Sequence, residues 1–371
     1  MRMPLLCLTQ FPWEAEPPRL RRLMARAAAD FAVLYVEPPQ PAAVAAPRAV
    51  MRRTPEGVRV LRVLVPAGLA AGAAWNALGP TLARLAGPGG AVAWCDDPAA
   101  ADLVGRLRPR LAVYDCVADP ASDPALREAE AELFARADAV FTAGWGLYEA
   151  KRLQHHEVYA FAVAADRAHF GRRGRPPVAL AALRGVRVGV MGAPGARFDA
   201  ELLAAVAAAR PDWHLCLLDD APGLPDLPNL RRPGRPAYAE LPAWLGALDL
   251  VWKPLAWRGG GGPAATAQAL AAGVPVVATP LPDIQRPFGE RGLVEIAASP
   301  EATLAAAERL LAAPADRALW LARVEAWFAE SAWERQWEDM RGALLDLLAW
   351  RGDAPAVPPD WRDGAEVRAQ A

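Results

Sequence analysis

Short apolar runs recur along this chain, separated by stretches in which apolar and polar residues alternate with helical spacing. Apolar runs of four to eight residues bounded by turn residues read as strands buried on both faces, as in parallel sheets. In the first half they lie at 5–8, 32–36, 58–65, 91–95, 111–114, 139–142 and 158–163, with helical patterns between them, for example at 18–29 and 124–136. The polar stretch GRRGRPPV at 171–178 interrupts the series and reads as a linker. The pattern then restarts, with strands at 186–191, 213–218, 250–252, 274–278 and 293–296 and helices at 199–208, 238–248 and 264–272. Three further helical stretches follow at 300–312, 315–328 and 333–350, and the Pro-rich, charged residues 351–371 read as a tail. Strands alternating with helices imply βαβ units. The expected fold is α/β: two Rossmann-like, doubly wound domains, 1–170 and 179–350, facing across a cleft. In open α/β sheets, ligands bind outside the carboxyl ends of the strands.

Residues 258–279, RGGGGPAATAQALAAGVPVVAT, read as loop, helix, tight turn and strand. Gly259, Gly260, Gly261 and Gly262 allow a ligand to approach the main chain. Pro263 suits a first helical position, and Gly273 suits a left-handed cap. A helix N-terminus with free N–H groups behind a bare glycine loop suits a phosphate or diphosphate. A surface loop before an ordinary helix has the same pattern.

Composition narrows the classes. The chain has 371 residues, 54% apolar and 22% charged, with a net charge of -1, so nothing suggests a nucleic-acid partner. Lysine occurs only at Lys151 and Lys253; arginine supplies the remaining basic residues, in a chain also rich in alanine and proline. Cys7, Cys95, Cys116 and Cys216 lie far apart in apolar runs, with no C-x-x-C pair, and read as reduced core residues. The opening MRMPLLCLTQ has too short an apolar run for a secretory signal, and no apolar stretch is long enough to span a bilayer. The expected location is cytoplasmic, with peripheral contact at the inner face of the membrane as an option. For that contact the helix at 18–29 offers Arg19, Arg21, Arg22 and Arg26 beside Leu20, Leu23 and Met24. The same pattern fits an ordinary surface helix.

Lys253 ends an apolar strand and precedes Pro254, so it should sit at the carboxyl edge of the sheet as a phosphate-binding cation or a solvated strand end. Arg197, behind the loop Gly192-Ala193-Pro194-Gly195, and Arg258 are further cationic candidates. Asp115 and Asp119 follow a strand end and read as a general base or as helix caps. Gly189, Gly192 and Gly195, with Asp219-Asp220 after the next strand, imitate a dinucleotide fingerprint, but the spacing is G-x-x-G-x-x-G. His155-His156, His169 and His214 read as solvated or locally packed.

The order of local patterns resembles bacterial GT-B nucleotide-sugar glycosyltransferases, of the family-4-like kind related to teichuronic acid and capsular polysaccharide synthesis. The stretches that carry it are Phe11-Pro12-Trp13-Glu14, Pro18-Arg19, and Leu34-Tyr35-Val36-Glu37-Pro38-Pro39. They continue with Tyr114-Asp115-Cys116-Val117 and Asp119, Ala137-Asp138-Ala139-Val140-Phe141-Thr142, and Asp166 with His169-Phe170. In the second half they are Gly192 with Arg197-Phe198-Asp199, Pro228-Asn229-Leu230, and Ala271-Ala272-Gly273-Val274-Pro275-Val276-Val277 with Thr279-Pro280-Leu281-Pro282. The resemblance implies transfer of a hexose from a nucleoside diphosphate sugar to a cell-envelope, exopolysaccharide or glycolipid acceptor. It implies an N-terminal acceptor domain and no resident cofactor. A metal-independent reaction agrees with the absence of a D-x-D triplet. The implied donor set is Gly192, Arg197, Lys253, Arg258, Gly259, Gly260, Gly261, Gly262, Thr266 and Gln268. Gln268 stands where the family typically has a ribose-binding glutamate, and Gly260 where many relatives have a second acid. Two alternatives stay open: a degenerate GT-B protein acting as a binding or scaffold partner, and an NAD-dependent Rossmann enzyme.

Overall fold

The computed structural model describes residues 2–15, 19–87, 90–119, 123–161, 163–172, 174–192, 198–221, 223–256, 263–312 and 314–350. Two compact units emerge: one from residues 1–142, 151–161 and 334 onward, the other from residues 143–150 and 162–333.

In the first unit the strands are β1 (Pro4–Leu8), β2 (Ala32–Val36), β3 (Gln40–Ala42), β4 (Arg48–Arg53), β5 (Arg59–Pro66), β6 (Val92–Cys95), β7 (Leu111–Cys116), β8 (Ala139–Thr142) and β9 (Val158–Ala160). The sheet order is β3-β5-β2-β1-β6-β7-β8-β9, with β4 paired to β5. Each pairing is parallel except β4 with β5. The parallel arrangement follows from burial: β6, β7 and β8 are buried at every position. The last helix, Trp333–Trp350, belongs to this unit from Glu334 on. Its Trp337 packs edge-on against Phe31 and donates to Asp30, and Arg341 pairs with Asp30. Two motif stretches also lock together: Glu37 is buried and accepts from Trp13 N and from Arg62, while the Tyr35 hydroxyl donates to Phe11 O.

The second unit has β10 (Arg187–Val190), β11 (His214–Leu217), β12 (Leu230–Arg231), β13 (Leu250–Lys253), β14 (Val276–Ala278) and β15 (Glu295–Ile296). Their order is β12-β11-β10-β13-β14-β15, all parallel. The chain winds outward from β10 to β12, then crosses over to β13, so the switch point lies between β10 and β13. Alternation sends Val188, Val190, Leu215, Leu217 and Trp252 to one face, and Cys216, Val251, Val276 and Ala278 to the other. Lys253 is paired in register with Ala278 and shares this second face, which the helix Pro263–Ala271 covers.

Several expectations needed revision. The helix expected at 238–248 is only Leu241–Leu245, because turns occupy 238–240 and 246–247. The sequence reading also passed over β3, β4 and β12, which are short or lie at sheet edges. Gly189 lies inside β10, where an added Cβ would meet Leu248 Cδ1 at 2.4 Å. Its bare backbone therefore serves the packing of Leu248 on the strand and not a phosphate, which removes the first glycine of the dinucleotide fingerprint.

Candidate functional site

In the second unit the carboxyl ends of β10 and β13 bring Gly192 and Lys253 together: Lys253 Nζ lies 3.4 Å from Gly192 O. The lysine side chain is fully buried, not a solvated strand end. Burial pulls its ammonium down to about 7, with Asp219 opposing the shift. A Cβ on Gly192 would come within 2.9 Å of the Phe198 ring and 3.2 Å of Asp219 Oδ2, so a larger residue here would have to displace the Phe198 ring.

The segment after β13 is fixed from two sides. Thr279 Oγ1 donates to Leu255 O at 2.8 Å and accepts from Leu255 N, while Thr279 N donates to Lys253 O. On the other side Phe198 bridges to Leu255, and Asp199 N donates to Pro254 O. Asp199 then caps the helix Ala200–Ala209 through Leu202 N. Asn229 of the Pro-Asn-Leu motif donates to Ala207 O and Arg210 O at the far end of that helix. These motif residues thus set the strand ends on which Lys253 is mounted.

The helix Pro263–Ala271 closes with a Schellman arrangement: Gly273 has φ +72°, Val274 N donates to Ala269 O, and Gly273 N donates to Leu270 O. Its Thr266 is fully buried, and Oγ1 has no hydrogen-bond partner among the described residues. A buried hydroxyl without a partner carries a desolvation cost that a ligand acceptor would offset. Gln268, two residues on, is half-buried. Arg197, Arg258, Gly259, Gly260, Gly261 and Gly262 lie outside the described residues.

In the first unit, by the same logic, the switch point lies between β1 and β6, where Thr9, Gln10 and Asp96 follow the two strands. Asp96 accepts from Thr9 Oγ1 at 2.8 Å and from Gln10 N at 3.0 Å. Asp115, on β7, is fully buried and accepts a two-pronged bond from Arg19 (2.7 and 3.0 Å) and a third from Trp94 Nε1 at 3.1 Å. Asp119 is 25% exposed at its side chain and pairs with Lys151, which also meets the buried Glu130 at 2.7 Å. The arginines of the helix Arg19–Asp30 are engaged: Arg21 pairs with Glu14 and Arg26 with Glu334, while Leu20, Leu23 and Met24 are buried. The histidines pack locally; His169 stacks on Tyr238 and His214 meets Arg184 O.

Sequence reasoning missed Asp96. Its available signal was a Cys-Asp-Asp end to the apolar run at 91–95, the same kind of strand end that drew attention to Asp115. Burial, then the charge of Asp115, holds its carboxyl up to about 8. An unfolded Asp loses its proton near 3.9. Between those values the unfolded chain has released a proton that the fold retains, so this group makes stability fall as pH rises from about 4 through about 8. Asp96→Asn is expected to remove that decline, gaining a few kcal/mol on the wild type by about pH 8. Urea unfolding at several pH values checks it; parallel pH slopes for the two proteins would mean that Asp96 is ionised in the fold.

No family model and no curated protein matches the sequence. Solved structures do match. Sucrose-phosphate synthase from Thermosynechococcus elongatus is similar at a TM-score of 0.68 and 18% identity, over 94% of this chain and 100% of that one. The Anabaena protein HepE, in complex with UDP and glucose, gives 0.64 and 13%, over 94% and 100%. WaaG, a glycosyltransferase involved in lipopolysaccharide biosynthesis, gives 0.62 and 12%, over 92% and 99%. At such identities the likeness is one of fold, and the fold of this chain is the α/β architecture of the GT-B glycosyltransferases.

Proposed function

We propose that the chain is a GT-B glycosyltransferase that moves a sugar from a nucleoside diphosphate sugar to a saccharide or lipid-linked acceptor of cell-envelope, exopolysaccharide or glycolipid type. The observation that carries this reading is the pairing of Lys253 with Gly192 at the β10/β13 switch point, beside a helix whose buried Thr266 hydroxyl has no hydrogen-bond partner among the described residues. Such a transferase needs little covalent chemistry: it must hold a diphosphate, stabilise the charge that grows on it and orient an acceptor hydroxyl. Lys253 supplies positive charge and the N-terminus of the helix Pro263–Ala271 supplies N–H donors, which together replace a metal ion. In this reading Gly259 to Gly262, Arg197 and Arg258 complete the diphosphate site, and Gln268 faces the ribose. The first unit takes the acceptor and the second the donor. Of the two candidate carboxylates, Asp119, partly exposed beyond the end of β7, receives the acceptor proton, and Asp115, within β7, acts through Arg19. HepE, solved with UDP and glucose, supports the donor class.

A thermal-shift screen with UDP, GDP, dTDP and NAD tests the reading, because a ligand bound only by the fold raises its melting temperature. Stabilisation by a nucleoside diphosphate but not by NAD is expected; the reverse would favour the dinucleotide enzyme. A nucleotide sugar that binds but is neither transferred nor hydrolysed would mark a binding protein.

Gln268 gives a sharper test. An amide accepts from a ribose hydroxyl, but a carboxylate does so about twice as strongly. Gln268→Glu is therefore expected to tighten the best nucleotide sugar several-fold in isothermal titration. Unchanged or weaker binding would remove Gln268 from the donor site.

A further inference from the structure

In the first unit one ammonium is shared by two carboxylates. Lys151, the last residue of the helix Trp145–Lys151, is buried. It donates to Glu130 Oε2 at 2.7 Å and to Asp119 Oδ1 at 3.3 Å. Glu130, on the helix Pro124–Arg136, is buried as well, and its other oxygen accepts from the Tyr114 hydroxyl at 2.9 Å. The ammonium also lies 5.7 Å from the centre of the Phe134 ring, on the same helix as Glu130. Burial pulls the Lys151 ammonium down, but the bond to Glu130 and the negative charges around it hold it above the usual lysine range. Lys151 is therefore a cation at neutral pH. Asp119, beyond the end of β7, is the partly exposed member of the cluster.

Glu130 by itself balances the charge of Lys151. The bond to Asp119 is a second use of the same cation, directed at the exposed end of the cluster. Stability gives this arrangement little reason. A buried ion pair repays its desolvation only in good geometry, and apolar residues of similar volume often serve as well or better. We propose that Lys151 is a positioning residue for Asp119, with Glu130 and Tyr114 fixing the ammonium from behind. The inference rests on the transferase reading for the proton that Asp119 receives. In that step the acceptor oxygen bonds to the anomeric carbon, and the nucleoside diphosphate leaves with the electron pair of the broken C–O bond. The acceptor hydroxyl proton passes to Asp119. Lys151 keeps its own protons and touches no reacting atom. It fixes Oδ1 of the carboxylate and leaves Oδ2 to the acceptor.

Two measurements test the assignment. Carbodiimide coupling of glycine ethyl ester, read by peptide mass spectrometry, reports how freely Asp119 reacts and needs neither donor nor turnover. Lys151→Met/Glu130→Gln removes the buried cation and its buried counter-charge together, so neither is left alone, and the amide still accepts from Tyr114. In this variant Asp119 is expected to couple several-fold faster than in the wild type, while the exposed Glu201 of the second unit couples at the same rate. Lys151→Arg, which keeps a cation beside both carboxylates, should protect Asp119 as the wild type does. Lys151→Gln takes the place of the pair variant if circular dichroism shows its fold lost. The kinetic measurement is release of nucleoside diphosphate from UDP-, GDP- and dTDP-sugars with water as acceptor. The pair variant is expected to lose about ten- to a hundredfold in kcat at unchanged donor KM, the scale of a misplaced reacting group. In an Asp119→Asn background the same change should cost little more, because the two residues act as a unit. Equal coupling rates in wild type and pair variant overturn the proposal and leave the transferase reading standing. A kcat loss as large in the Asp119→Asn background also overturns it, making Lys151 a structural tie. A wild type that releases nucleoside diphosphate from none of these donors overturns the transferase reading, and this role of Lys151 with it.

Discussion

Arg19→Ala is expected to destabilise the first unit by about 3–5 kcal/mol, the range for removing one partner of a buried ion pair. Arg19 donates twice to Asp115, and Asp115 has no exposed surface. Without the guanidinium the carboxylate keeps only Trp94 Nε1 of these three donors. Two outcomes are available to it, ionisation without a counter-charge or protonation, and both cost free energy. Asp115→Asn in the Arg19→Ala background should recover much of the loss, because a neutral amide needs no cation and still accepts from Trp94. Urea unfolding of the two single variants and the double variant gives the coupling energy, expected near the upper end of the roughly 0.5–3 kcal/mol seen for contacting pairs. Arg19 is 21% exposed at its side chain. A loss below about 1 kcal/mol, the size of a surface pair, would mean that water replaces the guanidinium. The same Asp115→Asn variant reports on chemistry. If Asp115 receives the acceptor proton, transfer ends while nucleotide binding persists; if it holds Arg19, the loss follows stability.

The second large effect concerns Lys253. Its ammonium titrates near 7 in the free protein because burial disfavours the charged form. Below about 7 both folded and unfolded chains carry the proton, and the fold bears the full cost of burying it. Above about 10.4 neither chain carries it. Lys253 therefore makes stability rise with pH between those values. A bound diphosphate reverses the local balance, since an opposite charge nearby favours the ammonium. Binding UDP at about pH 8 is thus expected to take up a proton, and affinity should fall by up to about tenfold per pH unit above 7. Lys253→Met keeps the apolar stem and removes the charge. It should weaken UDP binding at about pH 6 by roughly ten- to a hundredfold, the worth of a hydrogen bond to a charged group, and flatten the pH dependence. Titration calorimetry in two buffers with different ionisation heats measures the proton directly. No proton uptake together with unchanged affinity in Lys253→Met would place the phosphates elsewhere.

Much of the architecture was legible because parallel strands buried on both faces are written as unbroken apolar runs. β2, β6, β8, β10 and β11 lie within or coincide with the runs read from the sequence. The helices Pro300–Ala312 and Trp333–Trp350 have the bounds expected of them. β4 was invisible for the opposite reason: a strand exposed at every position has no face to bury and so no period to detect. The candidate site divides in the same way. Lys253 could be placed at a strand end from the residues around it, and Gly273 could be recognised as a cap, because both depend on local chain chemistry.

What the sequence determined by itself was thus the order of elements, the two repeats of the βα pattern and the strand ends that carry polar groups. These follow from hydrophobic period and turn residues a few positions apart. Only the tertiary structure decided which strand ends meet. It set Asp96 beside Thr9, 87 residues away, gave Asp115 to Arg19 across 96 residues, and closed Lys253 over Gly192 across 61. The physical reason is that burial and charge pairing belong to neighbours in space. A carboxylate at a strand end reads alike in the sequence whether it faces water, an arginine or a second carboxylate.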